Sequence, residues 1–144
     1  MDLKILKLND NATIPSYGSK SAAGADLYSC EGELVFAPNE TKLVHTGIAM
    51  EIPEGYVGLI YARSGIATKR GLAPANKVGV IDSDYRGEIM VALHNHSGAE
   101  AKIEAGERVA QIVITPYLTV NFVETNELDD TERGVGGFGS TGTI

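Results

Sequence analysis

Apolar and polar residues alternate along much of this chain. The runs LKILKL (3–8), TKLVHTGIAMEI (41–52), YVGLIYA (56–62), EIMVALHN (88–95), RVAQIVI (108–114) and LTVNFVE (118–124) are rich in Val, Ile, Leu and Tyr. Such residues suit a pleated, half-buried surface, and the period of two predicts β-strands. Turn chemistry separates the runs: SYGSKSAAG (16–24), APNE (37–40), IPEGY (52–56), DSDYRGE (82–88), HSGAE (96–100) and EAGE (104–107). Helical periodicity is scarce, and one helical turn is predicted around SGIATKRGLA (64–73), after Ser64. Many short strands at this spacing predict an all-β sandwich, jelly roll or barrel.

The segment NKVGVIDSDYRGEIM (76–90) reads as a hairpin. Val78, Val80 and Ile81 rise, an acidic turn follows, and the chain returns through Ile89 to Leu93. Asp82 and Asp84 are either turn residues or two carboxylates on one side of an extended strand, where they would suit a metal. Asp82 directly follows an apolar strand beside a basic stretch. A carboxylate so placed would stay ionised and serve as a general base.

Composition narrows the picture. The chain has 144 residues with a hydrophobic fraction of 43%, which predicts one domain with a real core. No apolar run reaches the roughly 18 residues that span a bilayer. The first strand-like run is expected to be a strand and not a signal peptide. Cys30 is the only cysteine, so no internal disulfide forms, and a reducing cytoplasm is the expected location. With three histidines, the HNH stretch (94–96) reads as core or surface histidines and not as a zinc or nuclease site. The net charge of −7 argues against a nucleic-acid polymer as partner. Against that acidic background, Arg63, Lys69, Arg70, Lys77 and Arg86 cluster with only Asp82 and Asp84 among them. The cluster is either a solvated basic face or a pocket for a small polyanion.

Further polar positions stand out. Arg63 and Ser64 end an apolar strand where a helical turn starts, as either an anion site or a Ser N-cap with a surface Arg. Asp26 sits among small residues, where an Asp bonding its own turn is the ordinary reading. Arg108 and Gln111 interrupt an apolar strand and need bonded partners. After residue 125 the chain turns polar and acidic, NELDDTERG (126–134), and then glycine-rich, RGVGGFGSTG (133–142). This predicts a body over 1–125 and a C-terminal arm over 126–144. The glycines suit a disordered tail, but Arg133, Phe138, Ser140 and Thr141 suit a lid that orders over a phosphorylated ligand.

In chain order, AGADLY (23–28), ARSG (62–65), GVIDSDYRGE (79–88), RVAQIV (108–113) and RGVGGFGSTG (133–142) resemble the five motifs of the trimeric dUTPase family. The resemblance implies an all-β, jelly-roll-like sandwich or distorted barrel with a flexible C-terminal arm. It implies a homotrimer whose active sites draw on more than one subunit, with the arm closing over a site. The implied reaction converts dUTP to dUMP and pyrophosphate, with Mg2+ on the triphosphate. Carried over by position, Asp82 would activate water for in-line attack on the α-phosphorus, and Gln111 would lie near that water and the phosphates. Asn76, with the backbone of Val80, Ile81 and Asp82 and the return at Met90, would read uracil. Tyr85 would pack on the deoxyribose and exclude a 2′-hydroxyl, and Asp84 would support the turn. Arg63, Ser64 and Gly65 would meet the phosphates, and Asp26 would hold a metal-bound water or brace the site. In the arm, Phe138 would stack on uracil, Arg133 would anchor the closed arm, and Gly139, Ser140 and Thr141 would bind the γ-phosphate. The family commonly has proline before the RSG of its second motif, and Ala62 stands there instead. The alternatives are a dCTP deaminase-like enzyme of the same fold and a non-catalytic, dUTP-binding regulatory trimer.

Overall fold

Eleven strands and one short helix make up the regular structure of residues 1–138, the part of the chain that the computed structural model describes. The strands are β1 (Lys4–Lys7), β2 (Ser16–Tyr17), β3 (Ala25–Tyr28), β4 (Leu34–Phe36), β5 (Thr41–Glu51), β6 (Tyr56–Tyr61), β7 (Leu72–Pro74), β8 (Gly79–Ile81), β9 (Glu88–Asn95), β10 (Ala101–Ile103) and β11 (Arg108–Pro116). Helix α1 (Ser64–Arg70) follows β6 and ends at Gly71, whose φ of +68° suits a residue without Cβ. One sheet has the order β1-β5-β9-β7, a second β2-β3-β11-β6-β8, and β10 pairs with β4. Every strand pair is antiparallel, so the architecture is all-β and jelly-roll-like.

The period of two in the sequence becomes an inside and an outside. Along β9, Ile89, Val91, Leu93 and Asn95 are buried, while Glu88, Met90, Ala92 and His94 are only half-covered. Side chains of both larger sheets meet in one cluster: Val44, Ile48, Leu72, Ile89 and Leu93 from the first, Leu27, Ile60, Val109 and Ile112 from the second. Phe36 and Ile103 close it from the small sheet, and Ile66 of α1 caps it. Each such side chain contributes on the order of 1.5–3 kcal/mol by leaving water. Asn95, fully buried at one end, is satisfied by backbone: its Nδ2 lies 2.8–3.1 Å from the carbonyls of Phe36, Ala37 and Ala99. Of the histidines flanking it, His96 is exposed and His94 half-buried, with His94 Nδ1 2.8 Å from Thr41 Oγ1.

Two expectations fail. The run 118–124 forms no strand: Leu118, Val120 and Phe122 are exposed, and the run pairs with no strand among the described residues. The segment 76–90 is not a paired hairpin, because β8 pairs with β6 while β9 pairs with β5 and β7. Its two arms diverge into different sheets and leave a cleft between them. Asp82 and Asp84 lie in the turn after β8, so the turn reading holds and the one-face, extended-strand reading does not.

Candidate active site

The cleft between β8 and β9 gathers six of the residues singled out from sequence. Asn76, Val80, Ile81, Asp82, Tyr85 and Met90 line a space of about 290 Å³, with Ile60 behind. Strand β8 is the edge of its sheet and pairs only with β6. Its outward peptide groups are free to bond a flat polar ligand, as an edge strand bonds another chain. Asn76 is placed by the turn after β7, where Lys77 N–H donates to the Pro74 carbonyl at 3.0 Å. The Asn76 amide lies over Gly79, where a Cβ would meet its Nδ2 in ordinary contact at 3.5 Å and crowd Ile60 Cβ at 3.2 Å.

Asp82 is exposed, and its carboxylate makes no hydrogen bond or ion pair among the described residues. Its carbonyl accepts from Tyr85 N–H at 3.2 Å, which closes the turn. The Tyr85 hydroxyl donates to the Glu88 carbonyl at 3.0 Å, so the ring folds back across Gly87. Behind the turn lies an open hollow of about 690 Å³ that collects Asp2, Glu51, Glu54, Asp82 and Asp84 against Lys4 and Arg86. That surface repels a triphosphate.

The cationic residues lie elsewhere. Asp26 on β3 accepts from Arg63 Nε at 2.8 Å and from Arg108 Nη1 at 3.2 Å. One carboxylate against two guanidiniums leaves a net positive cluster, the sign an anion needs. Asp26 thus bonds neighbouring strands and not its own turn. Arg63 occupies the position before α1 in extended backbone, so it and not Ser64 is the cap residue, and no side chain caps the helix. Ser64 and Gly65 open α1, exposed beside this cluster. Gln111 on β11 faces Tyr61, and its Nε2 donates to the Ala62 carbonyl at 2.9 Å. The rest of the basic stretch is dispersed: Arg70 makes a two-pronged pair with Glu107 at 2.6 and 2.9 Å, and Arg86 bonds carbonyls of its own turn.

Register separates the two groups. Ile81 pairs with Gly58 and Gly79 with Ile60, so Asp82 continues toward the start of β6, whereas Gln111 pairs with Tyr61 at its end. At about 3.3 Å per residue, the four steps from Val57 to Tyr61 span roughly 13 Å along the strand. Within one chain, Asp82 and the Arg63–Asp26–Gln111 cluster stand at opposite ends of one sheet. In the arm, Arg133 Nε donates to the Gly136 carbonyl at 2.8 Å, and Phe138 is fully exposed. Gly139, Ser140 and Thr141 lie outside the described residues.

Sequence reading missed a third group. His45 on β5 and Glu88 at the start of β9 are joined by an Nδ1–Oε2 bond of 2.9 Å. Sequence separation hides this pair, and only the β5–β9 register brings it together. The Glu88 bond raises the His45 pKa, against a smaller opposing effect of burial. Burial pushes the Glu88 carboxyl up, but His45 and the Gly47 N–H outweigh it, and the net direction is down.

The model of the family described as dUTPase matches residues 10–142. A deoxyuridine 5'-triphosphate nucleotidohydrolase of Nautilia profundicola is 54% identical over 99% of both chains. The same-named protein of Yarrowia lipolytica is 49% identical over 99% of this chain and 90% of its own. Among solved structures, the dUTPase of Staphylococcus bacteriophage 80alpha with dUPNHPP superposes with a TM-score of 0.91 at 32% identity, covering 99% of each chain. The dUTPase from phage phi11 of S. aureus gives a TM-score of 0.82 at 29% identity, over 91% of this chain and 100% of its own.

Proposed function

The chain belongs to the dUTPase family, and from that premise we propose that it hydrolyses dUTP to dUMP and pyrophosphate. Such an activity limits uracil incorporation into DNA and supplies dUMP for dTMP synthesis. The observation that carries the reading is the convergence of Asn76, the β8 edge, Asp82, Tyr85 and Met90 on one cleft. A cleft with an amide and exposed peptide groups suits the polar edge of uracil. In this reading the cleft excludes a thymine methyl, and the Tyr85 ring, whose hydroxyl bonds the Glu88 carbonyl, packs on the deoxyribose and excludes a 2′-hydroxyl.

Asp82 is the general base of the proposed reaction. It takes a proton from water as that water attacks the α-phosphorus, the bond to the bridging oxygen breaks, and pyrophosphate leaves in line. General-base help of this kind contributes about 10²–10⁴-fold. The rest of the acceleration comes from donors aimed at the phosphates, which are Arg63, Ser64, Gly65 and Gln111.

These donors stand too far along the sheet from Asp82 in the same chain. A complete site therefore combines the Asp82 cleft of one subunit with the Arg63 cluster of another, which supports a homotrimer with shared sites. The arm from 126 onward, with Arg133, Phe138, Gly139, Ser140 and Thr141, closes over a site so assembled, and residues 1–125 form the body.

Mg2+ enters as part of the substrate, the Mg–dUTP complex. The residues present do not fit a protein-held ion: both Asp26 oxygens are engaged by arginines, and no group of three or more candidate ligands occurs among the described residues. Asp26 braces Arg63 and Arg108, and any contact it makes with the ion passes through water. The nucleotide substrate and the buried free thiol of Cys30 fit a cytoplasmic enzyme; among the described residues no helix is long enough to cross a membrane.

A panel of nucleotides with Mg2+ tests the reading. Pyrophosphate and dUMP from dUTP, with little from dCTP, dTTP or UTP, are expected. Ammonia from dCTP would make the protein a deaminase, and dUTP binding without turnover would make it a regulatory trimer.

A further inference from the structure

The strands β5 and β9 fall out of register beside the cleft. His45 pairs with Met90 and Ala49 with Glu88, so Thr46, Gly47 and Ile48 lie opposite Ile89 alone. This bulge is held by side chains. Gly47 adopts φ +68°, and its N–H donates to Glu88 Oε1 at 2.8 Å. His45 Nδ1 holds Glu88 Oε2 at 2.9 Å, and the Thr46 hydroxyl donates to the Ile89 carbonyl. No side chain fits at 47, where a Cβ would lie 2.9 Å from Ala12 Cβ and 3.1 Å from Cys30 Sγ. Both Glu88 oxygens are thus fixed by β5.

The other side of Glu88 belongs to the nucleotide cleft. Its carbonyl accepts the Tyr85 hydroxyl at 3.0 Å, and it lines the cleft with Met90. We propose that Glu88, gripped by His45 across the β5 bulge, is a positioning residue for the Tyr85 ring, and that protonation of His45 tunes how tightly the cleft holds its nucleotide. Neither residue touches the reacting atoms. The nucleotide part of this inference rests on the function proposed above.

The groups around the His45 ring come from three directions. Glu88 faces it from β9, and Glu31, after β3, accepts the His45 backbone N–H at 2.8 Å. Cys30 donates its N–H to the His45 carbonyl at 2.9 Å, and Asn9, beyond β1, lines the same hollow of about 380 Å³. The nearby charges are both carboxylates, and they favour the imidazolium. The pKa of His45 is raised on folding, so the charged grip is complete below its unfolded value and is lost as pH rises through the folded value. Glu88, shifted down, stays ionised across that window.

Two measurements on the full-length protein test the inference. With three histidines in the chain, nitrogen-15 NMR follows His45 directly, and selectively labelled tyrosine reports the Tyr85 ring in the absence of nucleotide. The Tyr85 resonances should titrate with the His45 pKa, and that coupling should vanish in His45→Gln, whose amide donates at every pH. Steady-state kinetics on dUTP should show KM rising about threefold or more as His45 loses its proton, with kcat within about twofold, and the step should be absent in His45→Gln. A Tyr85 ring indifferent to the wild-type His45 titration overturns the proposal whether or not His45→Gln folds. A flat KM with active enzyme overturns the nucleotide part. Absence of dUTP turnover would defeat the proposed function instead, and leave the ring titration to decide this one.

Discussion

The Tyr85 ring lies so close across Gly87 that a Cβ at residue 87 would stand 2.6 Å from Tyr85 Cζ and 3.0 Å from Cε2. The close approach to Gly87 and the bond to the Glu88 carbonyl hold the ring where it lies. Gly87→Ala must therefore move the ring and free its hydroxyl. The expected result is a loss of about tenfold in discrimination between dUTP and UTP, equivalent to about 1.4 kcal/mol, from the ratio of kcat/KM values. An unchanged ratio would mean that the ring does not guard the sugar.

Gly24 stands to Gln111 as Gly87 does to Tyr85. A Cβ on Gly24 would lie 3.1 Å from the Gln111 Cδ and 3.2 Å from its Cβ, while Gln111 Nε2 is held by the Ala62 carbonyl. Gly24→Ala pushes that amide out of its place. With Gln111 serving the water and phosphates, kcat should fall by about ten- to a hundredfold with a smaller change in KM. The double variant Gly24→Ala, Gln111→Ala should be little worse than Gln111→Ala alone, because the glycine acts through the glutamine. Additive losses would show that Gly24 matters for another reason.

Among the described residues, the segment after β11 has few ties to the sheets. Among those residues, the one backbone bond to the body is Tyr117 N–H to the Gly55 carbonyl at 3.0 Å, and the bonds of Arg133, Gly134 and Gly136 stay within residues 131–136. Truncation after Asp130 should leave the melting temperature within a degree or two, since none of residues 131–138 is buried. Turnover should collapse if the lost segment covers the substrate. Unchanged kcat and KM would reduce the segment to a tail.

How much of this was legible in the sequence depended on range. Strand β9 was readable to the residue because EIMVALHN is a run of strand-forming residues bounded by turn chemistry, and its partners on both sides lie within one chain; its strict inside–outside alternation appears only in the fold. Helix α1 announced itself by a break in such runs. The run 118–124 carries the same signal as β9 and forms no strand, because alternation specifies a face to bury and not a partner. Strands of two or three residues, such as β2, β4, β7 and β10, are too short to show a period. The site divides in the same way. Its residue types were visible in local motifs, but local order concealed that β8 and β9 separate. It also concealed that Asp26 holds two arginines, and that His45 holds Glu88.

The opposite placement of Asp82 and Arg63 along β6 makes a prediction that neither residue makes alone. Asp82→Asn should fold normally, since the side chain is exposed and unbonded, and should lose about 10²–10⁴ in kcat. Arg63→Ala should also lose activity, with a cost in stability because Asp26 then keeps only Arg108. If each site takes Asp82 from one subunit and Arg63 from its neighbour, a mixed trimer contains sites in which both residues are intact. Unfolding the two inactive variants together at equal concentration and refolding them should pair one good half with the other at about a quarter of all sites, by random assortment around a closed ring. Roughly a quarter of the wild-type rate should then return, where either variant refolded alone remains inactive. A mixture as inactive as its components would place Asp82 and Arg63 in the same chain's site, against the roughly 13 Å of strand that separates them.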